Sequence, residues 1–219
     1  MYFSFENFIM SRAKIQLSSF EKELVQNSDW ILTKRSIIDK VYTLFGNLSE
    51  IYSTIIDKAS VPAEIRLTAP KISRGENYYG LPYVVLDYPR IFDKENVFAI
   101  RTLFWWGNFF SSSFHIKGEY KRQFIQSIFS NYEQFLKAGY FLCTNDDEWD
   151  FRFAENNFKS INEISRGEWE TLLKEKSFIK LSVKIPLASW DHVTDELIKF
   201  FQLNLQSAGI NFRDGEINL

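Results

Sequence analysis

The chain is poor in the side chains that most often bind metals or form covalent cross-links. It has one cysteine and two histidines in 219 residues. Cys143 alone can form no internal disulfide, and a cysteine-based zinc site is excluded. With His115 and His192 as the only imidazoles, a multi-histidine metal site is excluded as well. We therefore expect no metal and no cofactor.

Long runs of one kind are also missing. No run of Lys and Arg resembles a phosphate-binding footprint, so we expect no nucleic-acid partner. No stretch approaches the roughly 18 apolar residues of a membrane span, so we expect no membrane partner. The first residues, MYFSFENFIMSRAK, have no basic region before the apolar stretch, which Glu6 interrupts. This pattern is not that of a signal peptide, and the prediction is a cytoplasmic protein.

Motifs of the common enzyme classes are absent from the sequence. There is no phosphate-binding loop, no HExxH and no GxSxG. What the chain has in abundance is phenylalanine, with 22 copies, and its apolar and charged fractions are those of an ordinary globular protein. Large flat side chains bury much area each, so we predict one α+β domain over residues 1–219 with an aromatic core.

The N-terminal quarter has helical periodicity. Apolar residues recur every three or four positions in residues 4–26, and again after a cap at Ser28 or Asp29 as far as residue 58. We predict an antiparallel helical hairpin over residues 1–58, docked on the rest of the domain. The alternative is that these helices pair with a second copy and form a homodimer. Residues 59–80, which contain prolines and glycines, are predicted to be a connector.

The remainder, residues 81–219, alternates between strand and helix patterns. Short turns between neighbouring strands imply a mainly antiparallel sheet of about six strands covered by helices. The acidic group that begins at Asp146 is expected to be a solvated turn. The pentapeptide ISRGE occurs twice, at 72–76 and at 164–168, which excludes a repeat array but leaves an ancient duplication open. The predicted strands are 81–87, 97–106, 109–117, 140–144, 149–154 and 178–187.

Residues 96–118 read as a β-hairpin. With Gly107 and Asn108 as a two-residue turn, Trp106 faces Phe109. Because side chains alternate between the two faces of a sheet, this register predicts a core face and a mixed polar-aromatic face. The core face would hold Val97, Ala99, Arg101, Leu103 and Trp105 with Phe110, Ser112, Phe114 and Ile116. The mixed face would hold Phe98, Ile100, Thr102, Phe104 and Trp106 with Phe109, Ser111, Ser113, His115 and Lys117.

Small hydroxyls between aromatic residues suit the floor of an open groove or pocket. Arg101 lies in an apolar strand, so its charge needs a partner. Asp87 and Glu95 are candidate partners, and the alternative is that Arg101, Arg90 and Lys94 converge on an anion. The candidate ligand-binding residues are Arg101, Thr102, Trp106, Ser111, Ser113, His115 and Arg90.

These features lead to three hypotheses about function. The first is a cytoplasmic binding or interaction protein whose mixed face takes a small anionic or aromatic ligand or a protein partner. The second is a hydrolase or transferase with His115 as the general base and an arginine as the anion clamp. The third is an oligomeric scaffold that assembles through its N-terminal helices.

Overall fold

A computed structural model describes residues 15–212. The chain divides into two compact units, Met1–Asp39 and Lys40–Leu219. The helices are α1 (Ser19–Gln26), α2 (Ser28–Lys58), α3 (Ala63–Arg66), α4 (Glu119–Ser130), α5 (Tyr132–Lys137), α6 (Arg166–Glu175) and α7 (Val193–Ser207). The strands are β1 (Lys71–Tyr78), β2 (Leu81–Phe92), β3 (Val97–Trp105), β4 (Phe109–Lys117), β5 (Phe141–Cys143), β6 (Phe158–Ser160) and β7 (Phe178–Pro186).

The described part of the first unit contains α1 and the first turns of α2. Ser18 forms a capping box with Glu21: its hydroxyl accepts from the Glu21 N–H at 3.2 Å, and its own N–H donates to the Glu21 carboxylate at 2.7 Å. The Asn27 side chain then accepts from the N–H groups of Asp29 and Trp30, which caps α2. One residue therefore separates the two helices.

The helical hairpin predicted for residues 1–58 is not confirmed. Residues 1–14 lie outside the described residues, and α1 begins only at Ser19 because the capping box places its start there. A single-residue break is shorter than the two to five residues that join antiparallel helices. No residue of α1 is buried, whereas a packed hairpin would bury an apolar seam on both helices.

The second unit is built on one sheet of seven strands in the order β1-β2-β3-β4-β7-β5-β6, and every pair of neighbours is antiparallel. The predicted α+β class is confirmed, but the sheet has seven strands rather than about six. The additional strand is β1, which lies in the predicted connector. Its polar sequence, KISRGENY, has weak strand propensity, and it forms an edge strand through its pairing with β2.

Two further boundaries differ from the sequence prediction. Residues 149–154 are not a strand, and the partner of β5 is β6, which begins at Phe158. Strand β2, predicted over residues 81–87, continues to Phe92.

The hairpin of β3 and β4 is shifted by one residue from the predicted register. Trp105 pairs with Phe109, so Trp106, Gly107 and Asn108 form a three-residue loop. The Trp106 N–H donates to the Pro82 carbonyl at 3.0 Å, which ties it to the start of β2 instead of to β4. A slip of one residue moves every side chain of one strand to the other face relative to its partner. The two predicted faces are therefore wrong in composition.

One face of the observed hairpin is covered by helices. Tyr52 in α2 places its hydroxyl 3.4 Å from the Thr102 hydroxyl, and Asn204 in α7 donates to Ser112 at 3.2 Å. This helix-covered face holds Phe98, Ile100, Thr102, Phe104, Phe110, Ser112, Phe114 and Ile116.

The opposite face is covered by residues 144–157, which connect β5 to β6 and which we call the strap. Phe151 of the strap packs with Val85, Leu103 and Trp105 in a buried cluster. This strap-covered face holds Val97, Ala99, Arg101, Leu103, Trp105, Phe109, Ser111, Ser113, His115 and Lys117.

Candidate functional site

The observed register of β3 and β4 brings four of the seven predicted site residues onto one face of the sheet. Arg101, Ser111, Ser113 and His115 lie on the strap-covered face, and Arg101 pairs directly with Ser113 across the two strands. The other three lie elsewhere. Thr102 is on the helix-covered face, Trp106 is in the loop between the strands, and Arg90 in β2 donates to the Ala69 carbonyl at 3.0 Å.

The serines and the histidine of this face are buried beneath the strap. Ser111 and Ser113 have almost no exposed surface, and His115 is 2% exposed. Ser113 accepts a hydrogen bond from Ser182 in β7 at 2.7 Å. The Ser111 hydroxyl has no hydrogen-bond partner among residues 15–212. At these positions the face is thus a filled layer, and the open groove floor expected from the sequence is not present.

Arg101 is balanced by Asp87, the first of the two partners suggested by the sequence. Its Nε donates to Asp87 Oδ1 at 2.7 Å and its Nη2 donates to Oδ2 at 2.9 Å, a bidentate pair. The guanidinium carbon also lies 4.6 Å from the centre of the Phe151 ring. Because Arg90 binds a backbone carbonyl, the two arginines have separate partners within the described residues.

His115 lies next to a carboxylate of the strap. Its Nε2 is 3.1 Å from Glu148 Oε2, although the angle falls short of an aligned hydrogen bond, and Lys117 donates to Glu148 Oε1 at 2.8 Å. Burial lowers the pKa of His115, and the Glu148 carboxylate offsets part of that effect. Contact with His115, helped by Lys117, lowers the pKa of Glu148 to about 2 in spite of its burial. Glu148 is therefore an anion at neutral pH.

Lys180 holds the backbone of the strap. Its ammonium donates to the Glu148 carbonyl at 3.1 Å and to the Asp150 carbonyl at 2.5 Å, and it lies 4.5 Å from the centre of the Phe151 ring. Lys180 is fully buried, and this burial lowers its pKa. Asn157 completes the attachment by donating to the carbonyls of Asp150 and Arg152. These contacts identify Lys180 and Asn157 as buried polar supports of the strap.

Sequence reasoning missed Glu148, Asp150 and Lys180. The acidic group was expected to be a solvated turn, but Asp150 is 5% exposed and accepts from Arg152 through both carboxylate oxygens. A signal was present in β7, whose residues 180, 182 and 184 are polar and alternate with apolar ones. That alternation marks a second polar strand beside β4.

A different feature stands out in the first unit. Of the eleven large apolar side chains that are exposed within residues 15–212, seven fall within residues 15–32, which we call the N-terminal apolar segment. Ile15 is 95% exposed, Val25 72% and Phe20 66%. The full set is Ile15, Leu17, Phe20, Val25, Trp30, Ile31 and Leu32. Exposed apolar side chains concentrated in this way are typical of an interaction surface.

Between residues 15 and 212, no three His, Cys, Asp or Glu side chains are grouped so that they could hold a metal ion. No helix in that range has the length and apolar character needed to cross a membrane.

No protein-family model, curated protein or solved structure matches this chain.

Proposed function

We propose that the protein is a self-associating interaction protein that assembles through its N-terminal apolar segment. The observation that carries this proposal is the concentration of exposed apolar side chains in residues 15–32. The proposal develops the scaffold hypothesis from the sequence. The contacts of His115 and Arg101 support structural roles for both, because a general base must reach a proton of the substrate and His115 faces a carboxylate under the strap.

The energetics of α1 favour a partner. The helix has eight residues, and isolated helices shorter than about 12–15 residues are marginal in water. Its capping box contributes about 1 kcal/mol, which does not replace a buried face. Covering an exposed Val or Phe side chain contributes roughly 1.5–3 kcal/mol each. A partner that covers Phe20 and Val25 would therefore stabilise α1 well beyond its local interactions.

The charges around the segment suit a second copy of the same chain. In a two-fold symmetric interface the same patch meets itself, so it must carry complementary halves. Residues 21–29 hold three acids and one base, whereas residues 34 and 35 are both basic. An antiparallel arrangement of two copies brings the acidic half of each against the basic half of the other. The charged residues are Glu21, Lys22, Glu23, Asp29, Lys34 and Arg35.

The first experiment measures mass in solution by sedimentation velocity over a wide range of concentrations. We expect the wild type to reach twice the chain mass of 25.9 kDa. The Phe20→Ser/Val25→Ser variant is expected to remain a monomer whose far-ultraviolet helix signal falls by no more than the eight residues of α1. Leu67→Ser is the matched control, since Leu67 is 83% exposed and lies outside the segment. A wild type that stays monomeric at the highest concentration would refute the proposal.

A charge exchange tests the choice of partner. Arg35→Glu and Glu23→Arg should each weaken self-association, because each places like charges in contact across the symmetric interface. An equimolar mixture of the two variants should recover a mixed dimer. If the mixture associates no better than either variant alone, the partner is not a second copy in this arrangement. If the wild type self-associates and both Arg35→Glu and Glu23→Arg associate as tightly as it does, the charge argument is wrong and self-association itself is still supported.

A further inference from the structure

A groove of about 470 Å³ lies between α4 and the end of α6. Its α4 wall is formed by residues 118, 121, 122, 125, 126 and 129, which are spaced as one face of a helix. The opposite wall is formed by Lys174, Lys176 and Ser177. The groove has the size of a small-molecule site, for which about 300–1,000 Å³ is usual.

The lining of this groove is strongly positive. Lys121, Arg122, Lys174 and Lys176 line it, and no Asp or Glu does. A neighbouring groove of about 410 Å³, which shares Lys176 and Ser177 with the first, is also lined by Asp146 and Glu175. The positive charge is thus concentrated on the α4 side.

The cations of the groove differ in their hydrogen-bond partners. The Lys121 ammonium donates to the Lys174 carbonyl at 3.2 Å and also to the Lys176 carbonyl, which are at the C-terminal end of α6. These carbonyls are the negative end of the helix dipole, so Lys121 neutralises groups that would repel an anion. Lys176 donates to the Asn145 carbonyl and to Asp146. The charge of Lys176 is therefore partly balanced by groups of the strap.

The two exposed cations of the groove are Arg122 and Lys174, of which Lys174 also pairs with Glu170. Arg122 is exposed and makes no ion pair with any residue in the range 15–212. The Lys174 side chain is 62% exposed, 3.6 Å from the Glu170 carboxylate and 5.4 Å from the centre of the Phe129 ring. Phe129 and Ile125 supply an apolar floor between these charges.

We propose that this groove binds a small molecule in which a carboxylate or phosphate is attached to a flat apolar body. Arg122 holds the anionic group through its guanidinium fork, and Lys174 adds a second charge. The apolar body lies on Ile125 and Phe129. The site is independent of self-association, since all of its residues lie between 118 and 177.

The test is a titration followed by isothermal calorimetry and by amide chemical shifts. The probes are phenyl phosphate, benzoate, benzamide and inorganic phosphate. We expect phenyl phosphate or benzoate to bind and to shift the amides of α4, with benzamide and inorganic phosphate at least about tenfold weaker. Arg122→Ala and Lys174→Ala should each weaken binding by about tenfold, as the loss of a hydrogen bond to a charged group does. Both side chains are exposed, so these variants keep the fold.

Lys137→Ala is the control, because Lys137 is an exposed lysine on α5 outside the groove. A preference for phenyl phosphate assigns the phosphate class, and a preference for benzoate assigns the carboxylate class. Failure of both anions to bind, equal binding of benzamide, or an equal effect of Lys137→Ala would overturn the proposal. Inorganic phosphate that binds as tightly as phenyl phosphate would overturn the role of the apolar floor.

Discussion

Glu148→Gln is the substitution whose effect follows most directly from the structure. The carboxylate of Glu148 attaches the strap to His115 and Lys117, and its pKa falls from the ordinary 4.5 to about 2 in the folded protein. A pKa lowered by this amount corresponds to about 3 kcal/mol in favour of the folded state at neutral pH. Glutamine keeps the shape and can still accept from Lys117, so we expect a loss of about 2–3 kcal/mol.

The pH dependence gives this prediction a second readout. Glu148 has a lowered pKa when folded, so its contribution is complete above pH 4.5 and is lost as the pH falls towards about 2. The difference between the wild type and Glu148→Gln should therefore shrink to less than half of its neutral value at about pH 3. His115 also has a lowered pKa, so acid destabilises both proteins further once the unfolded chain begins to bind protons near pH 6.5.

The assay is urea unfolding followed by tryptophan fluorescence, at neutral pH and at about pH 3. In a parallel thermal melt at neutral pH, the melting temperature of Glu148→Gln should fall by about 4–12 °C, as expected for a loss of about 2–3 kcal/mol in a chain of this length. Glu155→Gln, an exposed glutamate in the same strap, is the control and should change stability by less than about 0.5 kcal/mol. A difference between the wild type and Glu148→Gln that is equal at both pH values would refute the reasoning, as would no loss at neutral pH.

Two further predictions concern stability and are measured by urea unfolding. Arg101→Met should cost about 2–4 kcal/mol because it leaves the nearly buried Asp87 carboxylate without its bidentate partner, and adding Asp87→Asn should recover part of the loss. Strictly additive effects in that double-mutant cycle would contradict a coupled pair. Gly75→Ala should cost about 1–3 kcal/mol, since a Cβ there would lie 2.5 Å from the Tyr83 ring. Gly167→Ala should instead stabilise α6 by up to about 1 kcal/mol, since nothing lies within 4 Å of a Cβ added there. A Gly75→Ala variant that is more stable than Gly167→Ala would contradict both expectations.

Local patterns in the sequence were sufficient to predict the two strands of the hairpin but not to predict which side chains share a face. Alternating polarity predicted β3 and β4 to within one residue at each end, because a period of two is a property of the strand itself. The register depends on the length of the loop. The bond from the Trp106 N–H to Pro82 assigns Trp106 to the loop, and Pro82 is 24 positions earlier in the chain. The resulting shift of one residue moved the side chains of one strand to the other face relative to its partner and placed Arg101 opposite Ser113.

The candidate sites depended still more on contacts that are distant in sequence. Asp87 was a plausible partner for Arg101 because both lie in predicted strands, and the pair is observed. Glu148 and Lys180 could not be connected in advance, since 32 positions separate them and only the fold of the strap brings them together. The exposure of residues 15–32 could not be predicted either, because an amphipathic pattern predicts an apolar face but not whether another element covers it.

The repeated pentapeptide shows that an identical local sequence can adopt two conformations, depending on its tertiary contacts. At 72–76 ISRGE lies in edge strand β1, and at 164–168 its serine caps α6 by accepting from the Glu168 N–H at 3.3 Å. Composition and periodicity were enough to establish the α+β class and most of the elements, because those signals come from neighbours along the chain. The conformation of an identical pentapeptide, the pairing of strands and the burial of each polar side chain depend on groups remote in sequence, and hydrogen bonding and packing between those groups select one arrangement.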